Sequence, residues 1–119
     1  MDELKLRYEG VGYTILDDEI RNKYGLYARR GMEIVEACKD YEGRVLVKKV
    51  PYEERLPEEG VDAKSIMSLM SLGAVKGTKL EVRIEGLDEK AAEIARKIHK
   101  VLLFDGECWL EIKTIIPNT

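Results

Sequence analysis

Between Lys79 and Leu103 the spacing of apolar residues changes its period once, and that change constrains the fold more than any other feature of the chain. Leu80, Val82 and Ile84 alternate with Glu81, Arg83 and Glu85, a period of two that gives a strand one apolar face. Asp88 then stands where a helix cap belongs, and Ala91, Ile94, Ala95, Ile98 and Leu102 share one helical stripe reaching about Leu103. A strand and a helix with one apolar face each must bury both faces against something. Packing helices on a sheet does so.

The rest of the chain repeats both patterns. Leu4, Leu6 and Tyr8 alternate as a short strand, Tyr13 to Ile20 reads as a second, and Asn22 to Gly25 as a turn. Asp17-Asp18-Glu19 leaves the end of the second strand open. A helical pattern runs from Ala28 to Lys39, with Met32, Val35 and Ile34 or Cys38 on its apolar face. Arg44 to Val50 is a β-branched strand, residues 51–60 are a polar loop with two prolines, and Val61 to Lys64 can form a short strand. Ser65 to Leu72 reads as a short helix with Gly73 at its C-terminal cap, and Cys108 to Ile116 alternates as a terminal strand. The expected architecture is α+β: a largely antiparallel sheet with the helices gathered on one face.

Composition narrows the function classes. A chain of 119 residues suits one domain. Its net charge is -3 with acidic and basic residues interspersed, so nucleic-acid binding has no electrostatic support. No stretch resembles a signal peptide or a membrane span, and membrane association is not expected. Cys38 and Cys108 lack CxxC or zinc spacing and read as structural thiols of a cytoplasmic protein. Gly10-Val11-Gly12 lacks the third glycine of a dinucleotide loop, no P-loop occurs, and the acidic residues show no metal-ligand spacing. No cofactor or metal is therefore expected. His99, among Arg96, Lys97 and Lys100, falls on what periodicity makes the solvated face of its helix, and one histidine defines neither a triad nor a metal site.

Two segments carry a family resemblance. Tyr24-Gly25-Leu26-Tyr27-Ala28-Arg29-Arg30-Gly31 precedes and opens the first helix, and Lys64-Ser65-Ile66-Met67-Ser68-Leu69-Met70-Ser71-Leu72-Gly73 spans the second. Together they resemble the HPr family, the small phosphocarriers of the bacterial sugar phosphotransferase system. The resemblance covers about residues 13–103. It implies an open-faced sandwich: about four core antiparallel strands with three helices on one face, here with extensions at residues 1–12 and 104–119. It departs from the family in three ways. Tyr27 stands where the family has its phosphoryl-carrying histidine, Arg30 replaces the following proline, and the loop at residues 51–60 is longer than the family's tight turn.

What the resemblance implies at Tyr27 follows from chemistry. The start of the first helix favours an anion through its free amides and dipole, and Ala28, Arg29 and Arg30 form the candidate anion-binding frame. A histidine phosphoryl bond passes on readily, whereas a phenol of pKa about 10 is a poor nucleophile and forms a stable ester. Tyr27 is thus expected not to relay phosphate, and no catalytic residue is assigned. Ser65 takes the position of the family's regulatory serine, which an HPr kinase phosphorylates. By its place it is also an N-cap, and the two roles are compatible. Ile66, Met67 and Met70 match the family's patch for docking on proteins, and methionine suits an adaptable surface.

The expected activity is a regulatory or scaffolding one, without histidine phosphocarrier activity. Its expected partners are an HPr kinase, phosphotransferase-system components or a transcription regulator. Two alternatives stand beside it: a phosphocarrier using Tyr27 or His99 as acceptor, and an unrelated small-ligand or enzyme role on the same scaffold. The terminal segments can pair with each other, lengthen the sheet at an edge, or form a homodimer contact.

Overall fold

The computed structural model describes residues 4–10 and 12–103. Its elements run β1 (Leu6–Glu9), β2 (Tyr13–Glu19), α1 (Ala28–Cys38), β3 (Val45–Val50), β4 (Val61–Asp62), α2 (Ile66–Met70), β5 (Lys79–Glu85) and α3 (Glu89–Leu103). The five strands form one antiparallel sheet in the order β1-β2-β5-β3-β4.

The period-two reading of β5 holds residue by residue. Leu80, Val82 and Ile84 are buried in the core, and Glu81, Arg83 and Glu85 alternate with them. The same face of β2 carries Leu16, opposite Val82, and of β3 Val47, opposite Val82 on its other side. Against this face lie Ala91, Ile94, Ala95, Ile98 and Leu102 of α3, with Ile34 and Cys38 of α1 in the same cluster. Burying an isoleucine or leucine there contributes about 2 kcal/mol. The Asp88 side chain caps α3 as expected, accepting from the Ala91 amide at 3.2 Å.

Several boundaries differ from the sequence reading, each for a visible reason. The second strand ends at Glu19, one residue short of the expected Ile20, and its two aspartates have partners: Arg7 Nε donates to Asp17 at 2.5 Å, and His99 reaches Asp18. The Val61 to Lys64 strand shortens to two residues, since the chain turns back there, with the Lys64 amide donating a hydrogen bond to the Asp62 side chain at 2.9 Å. Met32 does not join the apolar face of α1. It is 52% exposed, while Ile34 and Cys38 are buried and Val35 packs partly against the core.

His99 is the largest correction. It is 8% exposed, and its Nδ1 lies 2.6 Å from Asp18 Oδ2. Helix α3 buries Val101 and His99 beside the expected stripe, because it packs against both the sheet and α1. A narrow helical wheel misses a face that wide.

Of the terminal segments, β1 pairs with β2 and lengthens the sheet at an edge. The strand expected at residues 108–116, with Cys108 and the homodimer contact it would offer, lies outside the described residues. Among those residues no helix is long and apolar enough to cross a membrane.

Candidate functional site

The site is built where the chain passes from β2 into α1. Asn22, fully buried, organises this turn. Its side-chain amide donates to the carbonyls of Val101 and Leu102 at the end of α3, both at 3.2 Å. Its oxygen accepts from the amides of Tyr24 and Gly25, both at 2.9 Å. One side chain thereby closes the last carbonyls of a helix, which have no partner within it, and fixes the turn leading to Tyr27.

Gly25 follows with φ of +71°, in the left-handed region. A Cβ there would stand 2.6 Å from the carbonyl oxygen of Ala74, so only glycine fits. That close approach lets the Leu26 amide donate to the same oxygen at 2.9 Å, tying the turn to the segment after α2. Leu26 is buried beneath.

Tyr27 is the N-cap of α1, with extended backbone and no capping bond from its side chain. It is 40% exposed. Its ring edge runs past Gly25, and its hydroxyl reaches the end of α2, 4.0 Å from where a Cβ on Gly73 would be. Arg55, from the long loop, approaches the same point to 3.8 Å. Within loop 51–60 Leu56 is buried in the core, and the Tyr52 hydroxyl donates to the Leu56 carbonyl at 2.8 Å. Arg55 pairs with Glu53, and Lys49 holds Glu53 from its other side at 2.7 Å. The Glu53 carboxyl consequently sits below its ordinary range, chiefly through Lys49.

The three residues of the expected anion frame do not act alike. Arg29 is exposed beside Tyr27. Arg30 turns inward, 1% exposed, with Nη1 2.7 Å from Glu33 Oε1 one turn along and its guanidinium 5.1 Å from the centre of the Tyr24 ring. Its charge is therefore met inside the protein and is not presented to an anion at the helix start. Burial pushes the Glu33 carboxyl up, and Arg30 offsets that in part. Ala28 contributes the first residue of the helix backbone.

Ser65 caps α2: its Oγ accepts from the Ser68 amide at 3.2 Å. Within the helix Leu69 is buried, as is Leu72 just beyond it, while Met67 is 75% and Met70 39% exposed. Ile66 is half-buried, and its Cδ1 would stand 2.6 Å from a Cβ on Gly31, so α2 rests directly on the first turns of α1. The two segments singled out in the sequence thus form one surface. In the sequence Asn22 stands only as the start of a turn, although an asparagine three residues ahead of a glycine is a local signal for its role; nothing local marks Arg55 and Leu56. Among the described residues no cluster of His, Cys, Asp and Glu is placed to hold a metal.

Residues 18–101 match the family described as the PTS HPr component phosphorylation site. The chain is 38% identical over 74 residues to the phosphocarrier protein HPr of Neisseria meningitidis, covering 62% of this chain and 75% of that protein. To the phosphocarrier protein HPr of Pseudomonas aeruginosa it is 42% identical over 77 residues, 65% of this chain and 79% of the relative. Among solved structures it resembles HPr-C-His from Thermoanaerobacter tengcongensis, with a TM-score of 0.61, 28% identity, and coverage of 78% of this chain and 98% of that one.

Proposed function

This chain belongs to the HPr family of phosphocarrier proteins, and on that premise we propose that it acts as a regulatory or scaffolding member that binds proteins through α2 and does not relay phosphate. One observation carries the reading. Met67 and Met70 stand exposed on a helix whose Leu69 is buried and whose Ile66 is half-buried, next to Tyr27 at the position where the family carries its histidine. Methionine side chains adapt to varied partner surfaces, and an exposed apolar patch of this kind marks a contact site. The chemistry of a phenol supports the loss of relay, because its phosphate ester does not pass on under the conditions where phosphohistidine does.

His99 offers no ready substitute. It is buried and engaged with Asp18. Ser65, half-buried and capping α2, is the proposed control point. A phosphate there would place a dianion beside Met67 and alter what the surface accepts. The proposed partners are those of a cytoplasmic phosphotransferase system: an HPr kinase, a system component or a transcription regulator.

The test is incubation of the whole chain with phosphoenolpyruvate and the system's first enzyme, followed by intact-mass measurement. The expected result is an unchanged mass while an authentic HPr in the same tube gains a phosphoryl group. Phosphate on Tyr27, or acid-labile phosphate on His99, would overturn the reading.

A further inference from the structure

His99 is the chain's one histidine, and it is buried with a carboxylate against it. Its Nδ1 lies 2.6 Å from Asp18 Oδ2, and both side chains are at most 10% exposed. Asp18 Oδ1 also accepts from the Glu19 amide at 2.8 Å, which fixes the carboxylate. One helical turn further on, the same two segments meet again. The amides of Arg21 and Asn22 donate to the Leu102 carbonyl at 2.9 and 2.8 Å. The Asn22 side chain holds the Val101 and Leu102 carbonyls with its nitrogen and the Tyr24 and Gly25 amides with its oxygen. From His99 to the turn before Tyr27 the path is one turn of α3 and one asparagine.

Among the described residues few charges face the pair. β2 directs Asp18 toward the helices and Asp17 and Glu19 to its other face, where Arg7 binds Asp17. β5 presents Leu80, Val82 and Ile84, and Leu4 and Leu6 pack on the core from the β1 side. α1 carries Arg30 and Glu33, which bind one another, and α3 itself carries Arg96, bound by Glu89 and Glu93. Lys5, Arg21 and Lys79 border a cavity of about 420 Å³ that Asp18 also lines. An ordinary histidine changes charge between about pH 5 and 8. Glu33, whose carboxyl burial pushes up, is the competing source of a titration there.

We propose that the charge on His99 sets the turn that carries Tyr27. An imidazolium on the Asp18 carboxylate draws the end of α3 onto β2 by the attraction of opposite charges in a site shielded from water. A neutral imidazole with its proton on Nδ1 keeps the hydrogen bond and loses that attraction. Asn22 binds the end of α3 and the Tyr24 and Gly25 amides with one side chain, so the displacement passes to the turn. The device is independent of the docking reading above.

Nuclear magnetic resonance of the full, isotope-labelled chain from about pH 5 to 8 tests it. The single imidazole reports its own protonation, and the Tyr24, Gly25 and Tyr27 amides report the turn. The amide signals should shift with the midpoint of the imidazole. In His99→Gln they should lose most of their pH-dependent amplitude, and in Glu33→Gln they should keep it. In Asp18→Asn the imidazole midpoint should move to lower pH, because the carboxylate that favours the charged form is gone. Amides that stay still, or move with a midpoint other than the imidazole's, overturn the proposal. So do an imidazole that holds one state across the range, amide shifts that survive His99→Gln, and amide shifts that vanish in Glu33→Gln. If a substituted chain does not fold, the comparison of midpoints in the unaltered chain decides alone.

Discussion

Replacing one member of the Arg30–Glu33 pair should cost more than replacing both. The nitrogen–oxygen distance of 2.7 Å sets the charge centres about 4 Å apart, where an effective dielectric of about 20 gives roughly 4 kcal/mol of attraction. Both side chains are at most 1% exposed, and withdrawing each ion from water costs several kcal/mol. Attraction and desolvation nearly cancel, so the intact pair adds little net stability. A single truncation keeps the survivor's desolvation cost and loses the attraction, a penalty of about 3–5 kcal/mol. We expect Arg30→Met and Glu33→Leu each to lose about 3 kcal/mol in urea unfolding followed by circular dichroism, and the double variant to recover most of it. Strictly additive losses would refute the reasoning, since they would mean that the two charges do not feel one another. The pH dependence gives an independent check. Glu33 binds its proton more tightly in the folded state than its ordinary value of 4.5. Its contribution is therefore full below the unfolded pKa and is lost as pH rises through the folded one. Relative to Glu33→Gln, the wild type should lose stability as pH rises upward from 4.5; a gain would reverse the sign and refute the burial argument.

Three further outcomes follow from the geometry. Ser65→Ala removes the bond to the Ser68 amide and should cost about 1 kcal/mol in chemical unfolding; Ser65→Asn should restore most of it. Gly25→Ala forces a Cβ within 2.6 Å of the Ala74 oxygen at φ of +71° and should cost more than about 2 kcal/mol, read as a fall in Tm of roughly 10 °C. The Cys38 thiol is buried and pushed up to about 12, so in a Cys108→Ser background Ellman's reagent at pH 8 should label it only as fast as the protein unfolds. Rapid labelling of the folded protein would show that site to be open.

How much of this was legible in the sequence depended on how local its cause was. Leu80, Val82 and Ile84, and the stripe from Ala91 to Leu102, declared their faces because periodicity is written over a few residues. Gly25 and Ser65 declared their places because turn and cap chemistry is also local. His99 misled, since its partner Asp18 is 81 positions away and no helical wheel contains it. Arg30 belongs by sequence to the anion-binding frame, and Glu33 three residues on has a spacing that allows pairing but does not say whether the pair faces in or out. Arg55 and Leu56 lay in a stretch polar enough to pass for a free loop. Arg55 is placed by the end of α2 and Leu56 by the core, neither of which the sequence near them encodes.

The strand order has a consequence for how the protein forms. Leu16 of β2 lies opposite Val82 of β5, so the middle of the sheet joins parts of the chain roughly 65 residues apart. Closing a loop of that length costs about 3–4 kcal/mol of chain entropy before any of the pairing repays it. The β3–β4 pair, by contrast, is nearly local. As the chain emerges from synthesis N-terminus first, β2 is complete early and must wait for β5, with Leu16 and Ile20 uncovered meanwhile. Pairings this distant in sequence form slowly. β1 is the one strand partner of β2 that precedes it in the chain, and pairing with it would leave a single edge of this apolar strand open to the wrong partner during that wait.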